Sequence, residues 1–165
     1  MIKQFSIFSI IFLSFSSLAD ELLLNEIKTA FQQSYEFEEA AFDDTARKVS
    51  YSKGFFSFSN SAYKIVIEEP LAEEYQLSKE GLNVIDHEFN QQDFIPIGEI
   101  DNPFISILLF DEATLSNVII TSTGNTHLID NLNDMQPIEI TLIDNKIELI
   151  RYVDHANVTH IINFL

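Results

Sequence analysis

The chain has 165 residues with 26 acidic and 9 basic side chains, a formal charge of −17 at neutral pH. Such a surface repels phosphate backbones and anionic lipid headgroups, which argues against nucleic-acid binding and against adhesion to acidic membranes. Cysteine is absent, so disulfides, thiolate chemistry and a lipid-modified cysteine are excluded.

Residues 1–19 read as a secretory signal peptide. Lys3 is a short positive n-region, Phe5 to Phe15 is apolar apart from small serines, and Ser17-Leu18-Ala19 places small residues at −3 and −1 of a cleavage site. The apolar run is short for a bilayer span, which counts against an N-terminal membrane anchor. Cleavage after Ala19 leaves residues 20–165 as one exported domain, long enough to bury a core, and its net charge is one unit more negative because Lys3 is lost.

Glu21 to Gln33 follows as a helix: Leu23, Leu24, Ile27, Ala30 and Phe31 recur at three- and four-residue spacing, with Asp20 as N-cap. Tyr35 to Phe42 alternates as a first strand, with Tyr35, Phe37 and Ala41 on one side and Glu36, Glu38 and Ala40 on the other. Asp43-Asp44 ends it, and Lys48 to Ser52 leads into the next strand.

Gly54 to Phe89 reads as a four-strand meander: GFFSFSN, YKIVIEE, EEYQLSK and LNVIDHEF. Phe56 and Phe58, then Tyr63, Ile65 and Ile67, then Tyr75 and Leu77, then Leu82 and Val84 occupy alternate positions. Alternation of period two puts these side chains on one face of an antiparallel sheet and leaves the other face wet. Pro70 and Gly81 punctuate two of the turns. Gln91 to Pro96 is either a fifth, shorter strand or part of a turn.

Asp101-Asn102-Pro103 is a helix-start signal. The helix is expected from Pro103 to about Leu115, with Phe104, Ile107, Leu108 and Leu115 on one stripe and Ile105, Leu109 and Phe110 widening it, so it should be largely buried. Strands are then expected over Asn117–Ser122, Thr126–Leu132, Ile138–Ile143, Ile147–Val153 and Val158–Phe164, with turns at Asp144-Asn145 and at Asp154 to Asn157. The predicted class is α+β, a curved antiparallel sheet whose apolar face is covered by two or more helices.

No G-x-S-x-G, P-loop or H-E-x-x-H pattern is present, and no catalysis, metal or cofactor is expected. In Asp86-His87-Glu88 the histidine points away from both neighbours on a strand, so the three do not converge on a metal. His155, in a turn, and His160, on the last strand, read as surface residues. Glu68-Glu69 and Glu73-Glu74 flank Pro70 and read as a solvated rim rather than an acid/base pair. Asn157-Val158-Thr159 matches a glycosylation sequon, expected to stay unmodified. Phe56, Phe58, Ile65, Ile67, Tyr75, Leu77 and Val84 are, from pattern alone, either plain core or the wall of a cavity.

The ordered set of elements resembles the LolA family of outer-membrane lipoprotein carriers. Phe31 to Phe42 resembles that family's first strand, Gly54 to Phe58 its Gly-led apolar strand, and Tyr63 to Pro70 its aromatic strand ending in Pro. Leu77 to Phe89 resembles its next hairpin, Asn102 to Leu109 its second, Pro-started helix, and Asp154 to Phe164 its late turn and strand. The resemblance spans nearly all of residues 20–165 and rests on the order, since no single motif is specific.

It implies an incomplete antiparallel β-barrel with helices over an apolar cavity that receives lipid acyl chains. On that reading the ligand-binding residues are Phe56, Phe58, Ile65, Ile67, Tyr75, Leu77, Val84, Phe104 and Leu108. The implied partners are acyl chains of a lipoprotein or other lipid, an inner-membrane donor and an outer-membrane acceptor. A periplasmic monomer is implied as well.

Two departures stand out. The family usually carries a basic residue and Pro after the Gly-led strand, where this chain reads Ser59-Asn60-Ser61, and the sequence stops at Leu165 without the family's further C-terminal strand and Pro-rich tail. They point toward a relative that handles another lipid. A non-catalytic protein-interaction or sensor module on the same fold is the alternative.

Overall fold

The computed structural model describes residues 15–100, 102–109, 118–130 and 136–165, with side chains from residue 21 onward. Strands β1 (Tyr35–Asp43), β2 (Lys48–Ser59), β3 (Ala62–Glu69), β4 (Glu73–Leu77), β5 (Gly81–Asp86) and β6 (Gln91–Pro96) form one half of the sheet. The other half comprises β7 (Ile119–Thr123), β8 (Thr126–Asp130), β9 (Ile138–Ile143), β10 (Lys146–Val153) and β11 (Val158–Phe164). All neighbours are antiparallel, in the order β6-β5-β4-β3-β2-β1-β11-β10-β9-β8-β7. The sheet is curved and unclosed. Its two halves are joined by β1 and β11, which run from Phe37 opposite Phe164 to Asp43 opposite Val158.

Gln91–Pro96 is a true strand, paired along its length with β5. Residues 48–59 form one continuous strand, because β1 pairs with its leading half as well as with the Gly54 segment. At Gly54 the register with β3 shifts, and a Cβ there would lie 1.8 Å from the Val66 carbonyl oxygen. Only glycine permits that backbone approach. Asn60 and Ser61 both adopt positive φ (51° and 61°) in the two-residue turn from β2 to β3, the geometry favoured in tight hairpins. Ser59-Asn60-Ser61 is thus an exposed turn tip. Asp144-Asn145 makes the same kind of turn, as its sequence predicts.

Helix α1 (Phe15–Phe31) begins upstream of the expected start, so Asp20 lies within it rather than at its N-cap. Leu18 and Ala19 are good helix formers and extend the helix upstream. Of the predicted stripe, Leu24, Ile27, Ala30 and Phe31 are buried and Leu23 is half-buried. The Tyr35 hydroxyl donates to the Ala30 carbonyl at 2.9 Å and accepts from Ile147 N–H, tying the helix end to β1 and β10.

Helix α2 (Pro103–Leu108) is shorter than predicted. Leu109 is its C-cap, and residues 110–117, which include Phe110 and Leu115, lie outside the described residues. Asn102 caps the start, its Oδ1 accepting from the N–H groups of Phe104 and Ile105 at 2.9 and 3.2 Å, with Pro at the first helical position as the sequence signals. The expected strand ends at Asn117 and Leu132 also fall outside the described residues.

Both helices pack on β10, over the sheet face that carries the alternating apolar residues. Phe31 joins the layers: its ring lies 6.1 Å from Phe56 and 6.2 Å from Phe104. Burying that face is the main source of stability available to a sheet of this kind.

Candidate functional site: an apolar cavity with one charged end

The two halves of the sheet and the segment before and within α2 bound a half-open cavity of about 300 Å³. Ile65, Ile67, Tyr75 and Leu82 supply one wall, and Phe37, Ile162, Phe164 and Tyr152 the opposite one. Ile100, Asn102, Phe104 and Ile105 close it from above, and Phe56 lies between. Cross-strand register explains the wall, since Tyr35, Phe56, Ile65, Tyr75 and Val84 form one row across β1 to β5.

Of the nine residues expected at the cavity, Phe56, Ile65, Ile67, Tyr75 and Phe104 line it. Phe58, Leu77, Val84 and Leu108 do not. Phe58 and Leu77 belong to the next row toward the β2–β3 hairpin, where the Phe58 ring packs 4.7 Å from Tyr63. Leu77 and Leu108 are buried in the core, and Val84 packs against it. Alternation identifies the inward face of a strand, but it does not say which inward positions meet a neighbour and which meet a gap.

Among the described residues that line the cavity, Glu39 is the charged one. It belongs to the apolar phase of β1, after Tyr35 and Phe37, and pairs across the sheet with Ile162 and Ser52. Ser52 Oγ donates to Glu39 Oε2 at 2.7 Å, and His160 Nδ1 lies 2.6 Å from Glu39 Oε1. His160 Nε2 lies 3.3 Å from Asp154 Oδ2. Asp154 is held in turn by its Oδ1, which accepts from the N–H groups of Ala156 and Val158, both at 2.9 Å. The chain of contacts runs from a backbone turn through Asp154 and His160 to Glu39. Tyr152 stacks flat on the imidazole, with centroids 4.6 Å apart and planes 6° apart, and the Asn102 side chain hydrogen-bonds Tyr152.

His160 is therefore not the surface residue that the sequence predicts: its side chain keeps 17% of its exposure. Burial pushes its pKa down, but the hydrogen bonds and charges of Glu39 and Asp154 outweigh that and raise it above the ordinary value of 6.5. Burial pushes Glu39 up, yet the bonds from His160 and Ser52 hold it below the ordinary 4.5. Burial likewise raises Asp154, but the Val158 N–H, His160 and the Ala156 N–H bring it below 3.8. An imidazolium between two carboxylates is the consistent state, with one net negative charge. The sequence does signal that both side chains turn inward: Glu39 interrupts Tyr35-Phe37-Ala41, and His160 shares its phase with Ile162 and Phe164.

Beyond Glu39 a second cavity, of about 260 Å³, opens on the sheet's rim. Ser50, Ser52, Tyr51, Leu71 and Glu73 line it, and it shares Glu39, Ile67 and Tyr75 with the inner cavity. The Tyr75 hydroxyl hydrogen-bonds Glu73, and burial followed by that carboxylate drives the Tyr75 pKa up.

The acids around Pro70 divide. Glu68 and Glu69 are exposed as expected, and Lys53 pairs with Glu69 at 2.8 Å. Glu74 is 9% exposed, because Lys64 (2.9 Å), Gln76 (2.6 Å) and His87 (3.5 Å) gather on it.

An unclosed antiparallel sheet curled around an apolar cavity, with short helices over the opening, defines a LolA-like fold. A LolA superfamily protein from Nitrosomonas europaea has that fold and superposes with a TM-score of 0.50 at 9% identity, over 88% of this chain and 91% of its own. An uncharacterized conserved protein from Thermus thermophilus also gives 0.50, at 6% identity, over 89% of this chain and 85% of its own. No protein-family model matches the sequence, and no curated protein matches it.

Proposed function

We propose that this protein is a non-catalytic periplasmic carrier that holds an acyl chain of a lipoprotein or another lipid. On this reading it is exported by residues 1–19 and works as a monomer between an inner-membrane donor and an outer-membrane acceptor. The observation that carries it is the cavity of about 300 Å³ between the sheet and α2, lined chiefly by Ile, Leu and aromatic side chains.

Its size constrains the cargo. The volume is about twice that of a dry cavity of about 150 Å³ that accepts benzene, and it stands at the lower end of ligand pockets. That is room for part of one acyl chain, and several chains would require α2 to move. Each buried methylene contributes about 0.8 kcal/mol, so ten give roughly 8 kcal/mol before the cost of association is subtracted. Loading of that strength is reversible, as a carrier needs.

The six residues of α2, held at one end by the Asn102 cap, form a lid with few bonds of its own to break. The cavity favours this reading over a protein-interaction or sensor module, for which a filled core suffices.

The test is binding of a fluorescent acyl probe to delipidated protein. Ile65→Trp fills the cavity from its wall and is expected to weaken binding by about tenfold or more, with the fold retained by circular dichroism. Absence of probe binding by the unsubstituted protein would defeat the carrier reading.

A further inference from the structure

We propose that the cavity continues at Glu39 into a head-group subsite that takes a lipid whose polar end donates hydrogen bonds and carries no negative charge. This rests on the carrier reading and specifies its ligand. Two observations support it independently.

The first is adjacency. The inner apolar cavity and the outer groove share Glu39, Ile67 and Tyr75, so a tail lying against Phe56 and Phe164 leaves its polar end beside Glu39. The second is the chemistry of the outer groove, whose polar side chains are Ser50, Ser52, Glu73, Glu39 and the hydroxyls of Tyr51 and Tyr75, with no Lys, Arg or His among the described residues that line either cavity.

The nearby cation does not alter this. His160 stands behind Glu39 with one ring nitrogen facing Glu39 and the other facing Asp154, so no imidazole N–H is left for an anionic ligand. Glu39 is held by His160 of β11 and Ser52 of β2; behind His160 stand Asp154, in the turn before β11, and Tyr152 of β10, and Glu73 and Tyr75 of β4 line the groove beside Glu39. They leave the subsite net negative. Each Glu39 oxygen accepts one bond within the protein, and each keeps a lone pair for a ligand donor. A glycerol hydroxyl and an ammonium both meet these conditions, whereas a carboxylate or phosphate meets a subsite of like net charge with no free cation lining it among the described residues.

The experiment compares three amphiphiles with the same tail: monolauroylglycerol, dodecylammonium and laurate. Each displaces the fluorescent acyl probe at neutral pH, below its micelle concentration. The neutral and cationic ligands are expected to bind about tenfold or more tighter than laurate. Glu39→Gln keeps the reach to Ser52 and His160 but removes the charge, so it should narrow that ratio to about threefold. Glu73→Gln should narrow it less.

Glu148→Gln, which removes an exposed acid from β10, should leave the ratio unchanged and so controls for the charge of the whole molecule. Preference for monolauroylglycerol over dodecylammonium assigns the subsite to hydroxyls, and the reverse assigns it to an amine. Laurate binding as tightly as the other two, or a ratio that Glu39→Gln and Glu148→Gln alter equally, overturns the inference while the carrier reading stands. Failure of every ligand and of the probe to bind defeats the carrier reading itself.

Discussion

Replacing His160 with Gln removes the cation between Glu39 and Asp154 and keeps a side chain able to hydrogen-bond. Breaking a buried ion pair from one side costs about 3–5 kcal/mol. Here the three side chains retain 17–19% of their exposure, so water recovers part of the loss and about 2 kcal/mol is expected. For a chain of this size that lowers Tm by roughly 4–8 °C.

The effect has a defined pH window. The folded His160 pKa lies above 6.5, so its contribution is fully present below 6.5 and is lost as pH rises through the folded value. Glu39 and Asp154 are depressed below 4.5 and 3.8, so their contribution is present above those ordinary values and is lost as pH falls through the depressed ones. Thermal melts of both proteins across this range should therefore show their largest Tm difference between about pH 4.5 and 6.5, shrinking on the alkaline side. A difference that stays constant from acid to alkaline pH would refute the ion-pair account and leave only lost packing against Tyr152.

Two further substitutions test the scaffold. Gly54→Ala places a methyl group 1.8 Å from the Val66 carbonyl oxygen, and since β3 must move to admit it, urea unfolding should show a loss of about 2 kcal/mol or more; a variant as stable as the original contradicts the close approach. Asn102→Ala removes the cap of α2 and should cost about 1 kcal/mol. Because Asn102 also lines the cavity and bonds Tyr152, stopped-flow measurements should show the acyl probe leaving faster, and an unchanged rate would separate α2 from the release step.

Much of the fold was legible because its signals are local. Period-two alternation from Tyr35 to Val84 marks strands and their inward faces, Asn102-Pro103 marks a helix start, and Asp144-Asn145 marks a hairpin. The sequence is less decisive where one residue answers to two contexts. Gln91 to Pro96 carries little apolar alternation, and pairing with β5 made it a strand. Glu74 has the local pattern of a rim acid, but in the fold Lys64, Gln76 and His87 gather on it. Phe58 and Leu108 are apolar and inward, as predicted, but the gap lies elsewhere.

By itself, then, the sequence determined which segments extend, which coil and which face of each turns inward, because burial alternates with the period of the backbone. Tertiary structure decided where the inward face leaves a cavity and what stands at its end. The pairing of β1 with β11 sets Glu39 against His160 across 121 residues of chain. No local pattern encodes that contact, since the register of two distant strands is chosen by the packing of the whole sheet.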